Sequence, residues 1–147
     1  MEDYDWLDMM EKMHEIRLFS SLHIRGKRKG ATSPQEIDML SRIFISEEAR
    51  TPLDLSVLMG LSKSAVSRLI ESLEKKEFLE KQFSKKDKRS YTLYITEKGH
   101  QEIQQAYRHY LKPIYNLRRT LGEERFNSLL TQIKEANSLL QNKEVTK

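Results

Sequence analysis

The residues best placed to do chemistry here are charged or hydroxylated, and their spacing suits holding a polyanion rather than breaking a bond. Residues 84–96 read SKKDKRSYTLYIT. Lys85, Lys86, Lys88 and Arg89 surround a single acid, Asp87, and the run then becomes the strand-like alternation Tyr91, Leu93, Ile95. Upstream, residues 62–75 read SKSAVSRLIESLEK. At about 100° per residue, Val66, Leu69, Ile70 and Leu73 share one face, while Lys63, Ser64, Ser67, Arg68, Ser72 and Lys75 share the other. Short hydroxyl side chains let a helix backbone approach a groove floor, and the bases reach phosphates or guanine. The plainer reading is an amphipathic surface helix, but such a face is more often laced with Glu–Lys pairs, and Glu71 is its main acid.

Covalent chemistry finds no footing. There is no glycine-rich phosphate loop, no nucleophile elbow and no carboxylate pair with a plausible pocket, so no enzyme and no cofactor is expected. The chain has no cysteine, which excludes disulfides, thiolate metal sites and thiol redox switching. His14, His23, His100 and His109 are scattered, without an i,i+4 histidine pair, and no metal is expected.

At 147 residues, with 37% apolar and 33% charged residues, one domain with a real core is expected. The net charge of +4 says less than its distribution. The first eleven residues hold five acids and no base, while RGKRK at 25–29 and KKDKR at 85–89 are basic. Such clusters are the footprint of a nucleic-acid binder, although charge runs are also common in solvated loops. The RGKRK loop reads either way, as a contact to flanking phosphates or as a solvated connection. No apolar run is long enough to span a membrane. The acidic start does not resemble a signal peptide, and a cytoplasmic protein is expected.

The elements that must position these residues can be read from caps and periodicity. Asp3 or Asp5 caps a first helix with Trp6, Met9, Met10, Met13, Ile16 and Phe19, ending near Ile24 before a loop bracketed by Gly26 and Gly30. Ser33-Pro34-Gln35-Glu36 predicts a capping box and a second helix with Ile37, Leu40, Ile43 and Phe44. Thr51-Pro52-Leu53-Asp54 repeats the device for a short helix to about Met59. Ser62 caps a fourth helix to about Glu77. Strands follow at about Leu79–Ser84 and Ser90–Ile95, then a helix capped by Thr96, bent at Pro113 and ended by Leu121-Gly122, and a last helix with Phe126, Leu129, Leu130, Ile133 and Leu140.

Within that order, Leu53–Ser72 fits a helix-turn-helix. Gly60 makes the turn, Ser56 is the small residue at the helix crossing, and Leu55, Met59, Leu61, Val66 and Leu69 form the interhelical core. A hairpin directly after a recognition helix is a wing whose tip lies along a minor groove, where Arg89 suits the concentrated negative potential. Asp87 either accepts a hydrogen bond from Arg89 and aims its fork, or simply favours the turn; both can hold. The fold expected is mainly α with a small β-hairpin: a winged helix-turn-helix over 33–96, flanked by helical regions 1–32 and 97–147. The direct contacts expected to double-stranded DNA are Ser62, Lys63, Ser64, Ser67, Arg68, Lys85, Lys86, Asp87, Lys88 and Arg89.

The turn LMGLSKSAVSRLIESLEKKEFLEK and the wing DKRSYTLYITEKG resemble the MarR family of bacterial transcriptional regulators, with its Asp-x-Arg wing tip and Thr-x-x-Gly helix start. The resemblance covers nearly the whole chain. It implies a homodimer in which the first, fifth and sixth helices of two subunits interleave. Independently, Trp6, Phe19, Tyr107, Tyr110, Tyr115 and Phe126 exceed what a small winged domain could cover. A dimer would present two recognition helices about 10 bp apart on a pseudo-palindromic operator. The resemblance also implies a repressor released by a small molecule. An aromatic effector near Trp6, Met10, His14 and Tyr107 is one reading of those residues, and plain dimer core is the other. The alternatives from other classes are a winged-helix module that binds an acidic protein partner, and a nonspecific DNA-architectural protein. The operator, the regulated genes and repression as against activation are not encoded in any residue pattern.

Overall fold

The computed structural model describes residues 6–24 and 32–145. The expected cap at Asp3 or Asp5, the Gly26 and Gly30 brackets and the RGKRK loop lie outside them, as does the side chain of His23. The described elements are α1 (Trp6–Ile24), α2 (Pro34–Ile45), α3 (Pro52–Met59), α4 (Lys63–Lys75), β1 (Leu79–Phe83), β2 (Tyr91–Ile95), α5 (Glu97–Leu121) and α6 (Glu123–Val145). The chain divides into two compact units, Arg25–Tyr110 and Met1–Ile24 with Leu111–Lys147. The boundary falls inside α5, ahead of Pro113.

Both predicted capping boxes form. The Ser33 hydroxyl accepts from Glu36 N–H at 3.2 Å, and the Glu36 carboxylate accepts from Ser33 N–H at 2.9 Å. Thr51 and Asp54 repeat the exchange at 3.1 and 3.0 Å. Each satisfies amides that a helix start would otherwise leave unpaired. Gly60 closes α3 at φ 63°, a left-handed conformation that costs glycine nothing sterically. Ser56 serves the turn as more than a small residue, because its hydroxyl donates to the Leu61 carbonyl at 2.6 Å.

The hairpin pairs antiparallel, with Leu79 opposite Ile95 and Phe83 opposite Tyr91. Arg50 adds a single bridge to Leu93, whose N–H donates to the Arg50 carbonyl at 2.9 Å. This places the segment before α3 against the open edge of β2. The core is built from Ile37, Met39, Leu40 and Ile43 of α2, Leu55 of α3, and Val66, Ile70 and Leu73 of α4. Phe78, Leu79, Leu93 and Ala106 close it. Phe44, expected in the apolar stripe of α2, is instead 53% exposed, and its ring meets His100 edge-on at 5.5 Å.

Thr96 joins the wing to α5. Its N–H donates to the Phe78 carbonyl at 3.1 Å, and its hydroxyl donates to the Glu77 carbonyl at 2.6 Å while accepting from Gly99 N–H at 3.0 Å. Three residues on, a Cβ at Gly99 would lie 2.3 Å from the Phe78 carbonyl oxygen and 2.7 Å from Ile95 Cγ2. The Thr-x-x-Gly start of α5 is therefore a steric requirement of packing that helix against the base of the hairpin.

Candidate nucleic-acid interface

α4 presents its two faces as its periodicity requires. Val66, Ile70 and Leu73 are buried and Leu69 is half-buried against the core. Ser62, Lys63, Ser64, Ser67 and Arg68 are exposed. Ser62 caps the helix by accepting from Ala65 N–H at 3.2 Å, and its hydroxyl lies 3.3 Å from that of Ser64. Neither Lys63 nor Arg68 has a carboxylate partner among the described residues. An unneutralised basic face on a helix held by its other side is free to meet a polyanion.

Two residues expected on that face behave differently. Lys75 pairs with Glu71 at 3.5 Å, an ordinary exposed i,i+4 contact. Ser72 is half-buried and donates to Glu36 of α2 at 3.0 Å, so its hydroxyl is committed to the interior. The spacing that put it on the polar face was right, but that face is wide enough for one edge of it to touch α2.

The wing tip collects the rest. Lys85, Lys86, Asp87, Lys88 and Arg89 are all exposed. Asp87 accepts from the backbone N–H of Arg89 at 3.0 Å and from the Ser90 hydroxyl at 3.3 Å, and its carbonyl accepts from Ser90 N–H at 3.0 Å. The Arg89 Nε stands 4.0 Å from the Asp87 carboxylate, with the side chain 97% exposed. That is an ion pair at its outer limit, beyond hydrogen-bond reach. Asp87 thus organises the turn, and the guanidinium is free to reorient.

The wing is fixed to α4 by contacts that the sequence did not suggest. Lys81 of β1 pairs with Glu74 of α4 at 3.4 Å and lies over the Tyr91 ring at 5.0 Å. Tyr91 in turn packs on Phe83, with ring centroids 5.5 Å apart. A second missed residue is Glu36, a buried carboxylate held by Lys76 at 2.9 and 2.8 Å. Nothing local marks either pairing, since Glu36 and Lys76 are forty residues apart and Glu74 and Lys81 sit on different elements, α4 and β1.

Of the residues expected around an effector, Trp6, Met10 and His14 lie on α1 and Tyr107 on α5. Trp6 and Met10 are 59% and 52% exposed on α1. His14 lines a shallow groove on α1 with Asp8, Glu11, Lys12 and Glu15. Tyr107 belongs to the other unit, with its hydroxyl 3.2 Å from Arg108 Nε. Among the described residues no group of three His, Cys, Asp or Glu is placed to hold a metal ion. No described helix is long and apolar enough to cross a membrane.

Comparison with known proteins bears on the same elements. The family model described as MarR family matches residues 32–90, from the start of α2 through the wing tip. The transcriptional repressor MprA of Escherichia coli is 35% identical over 55 residues, 37% of this chain and 31% of its own length. The chain therefore matches about a third of that curated relative. Among solved structures, AbsC, a MarR family transcriptional regulator from Streptomyces coelicolor, has a TM-score of 0.75 at 18% identity, covering 97% of both chains. A mutant MarR of Escherichia coli complexed with operator DNA has a TM-score of 0.75 at 16% identity, covering 92% of this chain and 99% of that one. The MarR family model thus matches the helix-turn-helix and the first strand and tip of the wing, and the chain shares its fold across nearly the full length with a MarR family regulator.

Proposed function

We propose that the protein is a sequence-specific DNA-binding regulator of transcription, acting as a homodimeric repressor on a pseudo-palindromic operator. The observation that carries this reading is the exposed face of Ser62, Lys63, Ser64, Ser67 and Arg68 beside a wing tip of Lys85, Lys86, Lys88 and Arg89, whose one carboxylate, Asp87, stands 4.0 Å from Arg89 and leaves the tip basic. The likeness to a MarR bound to operator DNA supports the same assignment of elements. On this reading α4 enters the major groove, with Arg68 reading base edges and the serines admitting the backbone. The wing follows the minor groove with Arg89 as its probe, while the three tip lysines hold phosphates. The helical regions 1–32 and 97–147 form the dimer contact, and Trp6 and Met10 belong to it. A small molecule that changes the separation of the two recognition helices would release the DNA.

The test is selection of a duplex from a random pool, followed by binding to it and to a scrambled duplex across a salt series. Arg68→Ala and Arg89→Ala are each expected to weaken the selected duplex by about 1–3 kcal/mol without lowering the melting temperature. Lys86→Ala is expected to weaken both duplexes alike and to reduce the salt slope by about 1. If no preferred duplex emerges and wild type binds all DNA equally, the specific-regulator reading is wrong. The acidic protein partner or the architectural role then takes its place.

A further inference from the structure

The buried polar or charged residues among those described are Thr32, Glu36 and Glu102, and they lie on one continuous path. The Thr32 hydroxyl donates to Glu102 of α5 at 2.9 Å. The next residue, Ser33, gives its N–H to Glu36 at 2.9 Å. Glu36 then accepts from two residues one turn apart near the end of α4. These are the Ser72 hydroxyl at 3.0 Å and the Lys76 ammonium, which reaches both carboxylate oxygens at 2.9 and 2.8 Å.

Capping does not account for this. Asp54 occupies the equivalent place in the second capping box and makes the cap bond to Thr51 with no tertiary partner among the described residues. Glu36 makes the same cap bond while being only 5% exposed, and gathers three further hydrogen bonds from another helix. Burial by itself would raise its pKa. The hydrogen bonds from Lys76, Ser33 N–H and Ser72, with the Lys76 charge, outweigh burial and hold it below the ordinary carboxylate value. A buried, ionised carboxylate gripped at two points a turn apart on one flank of a helix resists rotation of that helix about its axis. Side chains stand roughly 5–6 Å from a helix axis, so a rotation of about 15° would move their tips by roughly 1.5 Å. That is beyond the ~0.5 Å within which a recognition constellation must be held.

We propose that Glu36 is the positioning residue of the recognition helix. It sets the rotation of α4 against α2, and so the aim of Ser64, Ser67 and Arg68, without itself touching DNA. The Thr32–Glu102 bond anchors the same point to α5, so the register of α4 is referred to two other helices, α2 and α5. This rests on the reading that α4 enters DNA, and the experiment separates the two.

Glu36→Gln keeps an acceptor for Ser33 N–H and removes the charge that holds Lys76. Lys76→Met removes the partner, and Asp54→Asn is the capping control. Each full-length variant is measured at a temperature where circular dichroism shows it fully folded. Glu36→Gln is expected to lower the ratio of selected to scrambled binding roughly 5- to 20-fold, with scrambled binding and the salt slope unchanged. Lys76→Met is expected to do the same, and the double variant to be no worse than either single one, because one interaction is removed in all three. Asp54→Asn is expected to keep the wild-type ratio. A folded Glu36→Gln protein with the wild-type ratio overturns the proposal. If wild type itself shows no preference, the DNA reading falls. Amide exchange in α4 then decides the mechanical claim: faster exchange over residues 70–76 in Glu36→Gln upholds it, and wild-type exchange there overturns it.

Discussion

Between Thr32 and Tyr110 one set of large aliphatic side chains packs inward, with Met39, Leu40, Leu55 and Leu73 fully buried, while Ile45, Leu53 and Val57 stay exposed. Along α1 and α6 comparable side chains stay outside: Ile16 is 63% and Leu140 62% exposed. Leu7, Met13, Leu18 and Leu139 are also exposed. The winged unit completes a core from its own residues. The terminal helices leave a row of large apolar side chains exposed, and on the proposed reading a second copy covers them. On that reading, stability in the first region is a property of one chain, whereas in the second it depends on how many chains are present.

The sharpest way to break that comparison is to put charge where the partner should sit. Ile16→Asp with Leu140→Asp would bury unpaired carboxylates at roughly 3–5 kcal/mol each. Sedimentation is expected to show a monomer, and melting of the wild type to rise with protein concentration. A wild-type melt that stays put over a wide concentration range would remove the homodimer from the reading. Next in size is Leu73→Ala in the winged core, expected to cost about 2–5 kcal/mol in a denaturant melt. The smallest effect is at Glu77, which follows the α4 C-cap at φ 65°. A non-glycine residue there is strained, so Glu77→Gly is expected to gain roughly 0.5 kcal/mol, less than the full relief because glycine is freer when unfolded. The melting temperature should rise slightly, and a fall would mean that the Glu77–Lys98 pair at 3.2 Å outweighs the strain.

What could be read from the chain beforehand was local. Ser33-Pro34-Gln35-Glu36 and Thr51-Pro52-Leu53-Asp54 each encode a cap within four residues, and both helices start where those residues place them. Gly60 and the Thr96–Gly99 start of α5 were equally legible, because a left-handed turn and a close approach restrict residue type. Ends that rest on longer-range packing drifted. α4 stops at Lys75 rather than near Glu77, and each strand is one residue shorter than expected. Glu36 was readable as a cap but not as a clamp, because Lys76 is forty residues away. The Arg50–Leu93 bridge is a single residue long and has no periodicity to detect. In the candidate interface, the exposed side of α4 followed from its pattern, whereas the placing of Ser72 and the bonding of Asp87 depended on neighbours that spacing does not name.

The junction at Thr96 has a consequence for how this wing could change. Its hydrogen bonds bind the start of β1 to the end of β2, and Gly99 locks that base under α5. Residues 84–90 are tied among themselves at the far end of the hairpin. The tip is therefore an interchangeable cassette. Its length and charge can be rewritten, by drift or by an engineer, and on the proposed reading exchanging it should transplant minor-groove preference between relatives while the winged unit keeps its fold.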